Sequence, residues 1–212
     1  PLITNLAPDT RTSPDIADSL DLYPGPWNIH KPEWAVQDLI AGQPGKLASC
    51  PELQMGFAVE VGSTLPTMVG PIVKEWVEVH TKTLIARGLN LLNYYIFCGG
   101  TSTGYRTGRR DISSYDFDSA VHEWGELADK YYTARRMGGA LSVFGKELAR
   151  TLPSADISVH TARGVSIPVR RGETCAFIFP RNLTRSMQMV TCRLDIPGMG
   201  EVPFPLDRKS VV

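Results

Sequence analysis

The sequence predicts an α/β unit over residues 1–152 followed by a β-rich segment over 153–212. Three observations carry this prediction. Apolar residues recur at helical spacing between Pro66 and Gly88 and again between Ala120 and Met137. Between these helices lies Leu89–Phe97, a nearly continuous apolar run of the kind found in parallel strands covered on both faces. After Pro153 the helical periodicity stops and only short strand-like runs and turns remain, which separates an α/β part from an all-β one.

Taken in order, Pro1–Asn5 and Ser19–Tyr23 are candidate strands, the second ended by Pro24-Gly-Pro26. Glu33 to Ala41 is a short helix with Gly42 as its stop, and Lys46 to Cys50 a weak strand. In the helix over 66–88, Val69, Val73, Trp76, Val77, His80, Leu84 and Ile85 share one face. In the helix over 120–137 the inner face carries Trp124, Leu127, Ala128, Tyr131 and Tyr132. Gly138-Gly139 then breaks it before a short helix from Leu141 to Leu152. Cys175–Phe179 and Met187–Leu194 are strands, and Pro197-Gly-Met-Gly200 is a turn between strands.

Charge is balanced, with 22 basic and 22 acidic side chains, which favours neither nucleic acid nor an acidic membrane surface as a partner. No apolar run is long enough to span a membrane. The four cysteines are dispersed, without a CxxC pair, so no zinc site is expected, and Cys98 and Cys175 are expected to be small core residues. No cofactor or metal is implied. The chain starts at Pro1 without Met and ends on a strand-like Lys209–Val212, so both ends read as cut from a longer protein.

Chemistry concentrates in the loops that follow the parallel strands. Glu52 opens the loop expected after the 46–50 strand, and Gly99-Gly100 follows the strand ending at Phe97. Tyr95 and Tyr115 could each stack on a sugar ring, or serve as core tyrosines. Asp116 and Asp118 could simply cap turn amides. His80 reads as a paired core histidine rather than a metal ligand. His122-Glu123 lacks the second histidine of a zinc-protease motif, and Gly99–Gly104 lacks the lysine of a phosphate loop.

Five motifs stand in a fixed order: Glu52-Leu-Gln-Met-Gly-Phe57, Ala86-Arg-Gly88, Tyr95-Ile-Phe-Cys-Gly-Gly-Thr101, Ser114-Tyr-Asp-Phe-Asp118, and Glu123-Trp-Gly125 with Lys130-Tyr131. Their sequence and spacing resemble the last part of the catalytic domain of family 35 glycoside hydrolases, the β-galactosidase family. The resemblance implies the last strands and helices of a TIM (β/α)8 barrel, followed by the start of a β-rich, sandwich-like domain. It also implies that Glu52 is the nucleophile, with Glu60 as the rival in the same loop. Tyr95 and Tyr115 would contact the sugar, and Phe57 would take the place of the family's tryptophan. The implied reaction is retaining hydrolysis of a terminal β-linked sugar, most simply galactose, with glucosamine or another hexose as the alternative. A carbohydrate-binding or structural remnant is the non-enzymatic alternative. The family's acid carboxyl lies in an Asn-Glu pair on an earlier strand, and this chain has no Asn-Glu dipeptide. The isolated chain is therefore expected to be inactive. Its expected partners are a carbohydrate substrate and the missing barrel half, or a second copy of itself.

Overall fold

The computed structural model describes residues 3–4, 15–24, 28, 30–56, 72–106, 112–154, 158–160, 165–182, 190–196 and 200–206. Its central sheet has four parallel strands that neighbour one another in chain order: β1 (Ile3–Thr4), β2 (Ala17–Leu22), β3 (Ser49–Gln54) and β4 (Leu91–Tyr95). Parallel neighbours need a crossover rather than a tight hairpin. Helix α1 (Lys31–Gly42) lies between β2 and β3, and α2 (Lys74–Ala86) between β3 and β4. Helix α3 (Asp129–Leu148) follows β4 after a long loop. Pro32 suits the first turn of α1, where an N–H would lack a helical partner, and Asn28 Oδ1 accepts the Lys31 N–H at 3.1 Å.

Alternation along the strands divides the sheet into two faces. Leu20 and Leu22 of β2 and Cys50 and Leu53 of β3 pack with Val36 of α1 and Leu84 of α2 in one buried core. Asp21 and Glu52 are lateral partners, one residue before the paired Leu22 and Leu53. They therefore share the opposite face. A second core, of Met55, Ile72, Val77, Ala120 and Ala134, lies beyond the C-terminal ends of the strands.

The third strand runs further than expected, so Glu52 lies within β3 rather than in the loop after it. Pro51 lies in the strand as well. A proline has no N–H for the ladder and is accommodated where the pairing is irregular. The register slips on both sides of β3, between Ser19 and Asp21 toward β2 and between Cys50 and Leu53 toward β4. Asn93 Nδ2 donates to the Pro51 carbonyl at 2.9 Å across the slipped stretch.

Other expectations are corrected. Residues 120–128 are not helical: Val121 and Leu127 form an antiparallel bridge, and the helix starts only at Asp129. Trp124 and Leu127 are thus exposed rather than on an inner helix face. Gly138-Gly139 does not break α3, which continues to Leu148. Cys98 is exposed, not a core residue. β4 is less buried than its composition suggests, with Leu91 42 % exposed, because β4 is the edge of the described sheet. His80 is buried edge-on to Trp76, but neither ring nitrogen has a hydrogen-bond partner among the described residues. Burial pulls its pKa down to about 4, which keeps the ring neutral at pH 7. Helix α2 starts only at Lys74, with Val73 extended at its N-cap, and residues 66–71 of the expected helix lie outside the described residues.

Beyond α3 every pairing among the described residues is antiparallel. β5 (Leu152–Ser154), β8 (Val169–Arg171) and β9 (Ala176–Ile178) form one small sheet. β6 (Ser158–His160), β11 (Val190–Ile196) and β12 (Gly200–Leu206) form another, and β7 (Val165–Ser166) pairs with β10 (Arg181–Asn182). Two buried arginines bind this segment to the helices. Arg170 donates to the carbonyls of Ile85 at 2.8 Å, Leu148 at 3.2 Å and Thr151 at 2.7 Å, and to Thr151 Oγ1 at 3.1 Å. It thereby serves the C-terminal ends of α2 and α3, where carbonyls lack helical partners and carry partial negative charge. Arg181 donates to Thr83 Oγ1 at 2.9 Å, Ser166 Oγ at 2.8 Å and Glu33 Oε1 at 3.3 Å. Burial alone would raise the Glu33 carboxyl, but Arg181 and Arg87 outweigh it and hold the pKa below the usual range.

Candidate active site

The site lies at the C-terminal ends of β2, β3 and β4, on the sheet face that Asp21 and Glu52 share. Glu52 Oε2 accepts a short hydrogen bond from the Tyr23 hydroxyl, which stands just past β2. Tyr95, the last residue of β4, meets the Tyr23 ring edge to face at 5.5 Å. Glu52 is thus held by one tyrosine that is itself braced by a second. Burial, then the hydrogen bond and charge of Glu52, push the Tyr23 hydroxyl above its ordinary pKa, so it stays a proton donor across the physiological range. Cys50, two residues before Glu52, is pushed up to about 12, first by burial and then by the negative charge of Asp21. It is an inert thiol rather than a nucleophile.

Close backbone contacts fix the loops around these groups. The N–H groups of Met55 and Gly56 both donate to the Tyr95 carbonyl, at 3.0 and 3.3 Å. A Cβ on Gly56 would lie 2.8 Å from the Phe117 carbonyl, so only glycine allows the 116–118 loop to close over β3. Gly99 serves Asp116 in the same way, since a Cβ there would lie 2.1 Å from Asp116 Oδ1. Ile96, directly after Tyr95, has φ of +55°, a strained conformation for a β-branched residue. Such strain concentrates at functional sites. Lys130, 3 % exposed, donates to the Met55 carbonyl at 2.7 Å and pairs with Asp118 Oδ1 at 2.8 Å, joining α3 to both loops.

The sequence-derived candidates divide accordingly. Glu52 and Tyr95 are brought to one end of the sheet. Tyr115 is half-buried in the next loop, its N–H donating to the Gly100 carbonyl at 2.7 Å. Asp116 and Asp118 accept backbone N–H groups, from Glu123 and Ile72, each at 2.8 Å. Phe57 and the rival Glu60 lie outside the described residues. Tyr23 is the residue that sequence reasoning missed. Its only signal was a tyrosine at the last position of a candidate strand, immediately before a proline. Among the described residues there is no group of three or more His, Cys, Asp or Glu able to hold a metal.

A carboxylate on a parallel strand, hydrogen-bonded to a tyrosine at the strand ends, is a candidate catalytic group. The family comparison makes this specific: the model of glycosyl hydrolases family 35 matches residues 32–141, and the chain belongs to that family. The chain is similar to beta-galactosidase-1-like protein 2 of Homo sapiens, 29 % identical over an alignment of 119 residues, with 45 % of this chain and 19 % of the relative covered. It is also similar to a beta-galactosidase of Mus musculus, 38 % identical over an alignment of 71 residues, with 28 % of this chain and 11 % of the relative covered. The matched stretches thus cover less than a fifth of each curated relative.

Proposed function

We propose that the chain is the nucleophile-bearing part of a retaining, exo-acting β-galactosidase, whose parallel strands are the last strands of a (β/α)8 barrel. The observation that carries this reading is the Tyr23–Glu52 hydrogen bond at the C-terminal ends of parallel strands. The names of the two relatives support galactose as the sugar.

In this reading the Glu52 carboxylate attacks the anomeric carbon and forms a glycosyl ester. The glycosidic C–O bond breaks, and the leaving oxygen takes a proton from an acid carboxyl supplied outside these 212 residues. Water then adds to the anomeric carbon and gives its proton to that same group, which frees the sugar with its configuration retained and restores Glu52. Tyr23 orients the carboxylate for attack, and Tyr95 and Tyr115 contact the sugar. In the sequence motif Phe57 stands where the family carries tryptophan. The isolated chain, without the acid carboxyl, is inactive.

The decisive experiment treats the full-length protein with a 2-deoxy-2-fluoro-β-galactosyl fluoride, whose ester turns over slowly. Mass spectrometry of the digest should find the sugar on the peptide containing Glu52. Labelling of the peptide containing Glu60 would move the nucleophile, and no labelling despite turnover of a β-galactoside would remove the covalent mechanism.

Tyr23→Phe keeps the ring against Tyr95 and removes only the hydroxyl. A hydrogen bond to a charged acceptor is worth about 1.5–3 kcal/mol, so kcat on nitrophenyl β-galactoside should fall roughly tenfold to a hundredfold with KM little changed. Steady-state kinetics of the full-length variant checks this. An unchanged kcat would mean that Glu52 needs no help from Tyr23.

A further inference from the structure

The most exposed large aromatic side chain among the described residues is Trp124, 69 % exposed. It occupies the tip of the hairpin closed by the Val121–Leu127 bridge, beside Gly125 at φ +90°. The hairpin is fastened to the end of β4. The Val121 N–H donates to the Phe97 carbonyl at 2.9 Å, and the Gly99 N–H to the Val121 carbonyl at 2.7 Å. Trp124 therefore stands on the rim at the same end of the sheet as Glu52.

An exposed indole is normally mobile, but this one is held. His122 lies parallel to it, with ring centroids 4.6 Å apart and planes 2° from parallel. The His122 ring is bonded through Nδ1 to Asp116 Oδ1 at 2.9 Å, and the Asp116 side chain is only 4 % exposed. Asp116 Oδ2 accepts the Glu123 N–H, and Asp116 occupies the space that Gly99 leaves by lacking a Cβ. The indole N–H donates to Glu126 Oε2 at 2.9 Å, and Thr101 Oγ1 donates to Glu123 Oε2 at 2.7 Å. One face of the indole is thus backed by a fixed ring, its edge is pinned, and its outer face meets solvent.

We propose that Trp124 is a stacking platform for a sugar unit beyond the one cleaved, so that the rim binds the rest of a neutral oligosaccharide. A pyranose presents a face of C–H groups that packs on an aromatic ring, and its rim hydroxyls can donate to carboxylates. Here the Glu126 carboxylate stands at the indole edge and the carboxylate of Glu123, the preceding residue, is held by Thr101; both favour an uncharged, hydroxyl-rich ligand and disfavour phosphorylated or acidic sugars. Because the ring is already immobilised, binding loses little side-chain entropy. The platform lengthens the substrate of the proposed glycosidase and rests on that reading.

The test uses full-length protein labelled with 5-fluorotryptophan, the Trp124 resonance being assigned with Trp124→Phe. Titration with β-1,4-galactotetraose should move that resonance, and titration with galactose should not. Trp124→Ala should lower kcat/KM roughly five- to tenfold on the tetrasaccharide and leave it unchanged on nitrophenyl β-galactoside. A tetrasaccharide that leaves the resonance in place, or equal losses on both substrates, overturns the platform. Failure of the wild-type protein to hydrolyse any β-galactoside would overturn the glycosidase reading instead. The fluorine titration would still decide the platform.

Discussion

Glu52→Gln in the full-length protein lowers kcat on nitrophenyl β-galactoside by at least about a thousandfold, because an amide cannot form the glycosyl ester. The replacement is close to isosteric. Its carbonyl can still accept the Tyr23 hydroxyl, so the arrangement around Tyr23 and Tyr95 is preserved and the loss reports chemistry rather than unfolding. A second variant separates the two further. Glu52→Gly opens space at the anomeric carbon, and added azide should then restore turnover and yield the α-galactosyl azide, the product of a single displacement. Steady-state rates with and without azide, and NMR of the product's anomeric proton, check both. Undiminished activity in Glu52→Gln would exclude Glu52 as nucleophile and turn attention to Glu60.

Arg170→Met destabilises the fold by about 3 kcal/mol or more. Methionine keeps much of the apolar stem but leaves the carbonyls of Ile85, Leu148 and Thr151 buried without their cationic donor. Unpaired buried polar groups cost roughly 1–3 kcal/mol each. Among the described residues Arg170 donates to carbonyls and a hydroxyl rather than to a carboxylate, so the substitution strands no opposite charge. Arg171, the exposed next residue, is the control: Arg171→Met should stay within about 0.5 kcal/mol. Urea unfolding of the two variants makes the comparison. Equal stabilities would mean that water satisfies the helix ends when Arg170 is absent.

What the sequence disclosed, and what it hid, follows from the range of the forces involved. α1, α2 and β4 were legible because local apolar spacing and Gly or Pro punctuation decide them. Motif order pointed to Glu52 and Tyr95, which the fold brings to one end of the sheet, although the strand around Glu52 was drawn too short because Pro51 argues locally against a strand. The helix expected over 120–128 failed for a nonlocal reason. Trp124, Leu127 and Ala128 have helical spacing, but the buried Asp116 recruits His122 and the Glu123 N–H and turns the chain into a hairpin. Arg170 and Arg181 carry no local signal, since only the packed helices show that carbonyls and Glu33 await them. Tyr23 was hidden likewise, because its partner is 29 positions away.

The Arg181–Glu33 pair spans 148 positions of the chain. On the ribosome, α1 would emerge long before the guanidinium that completes its ion pair. During that interval the one ion-pair partner left to Glu33 among the described residues is Arg87, which itself appears after β3. The nascent α/β part therefore cannot reach its final stability until the strands near residue 181 have been translated and have left the exit tunnel. A recombinant version cut at the end of α3 would retain every strand of the parallel sheet, yet remain arrested at that earlier stage of synthesis.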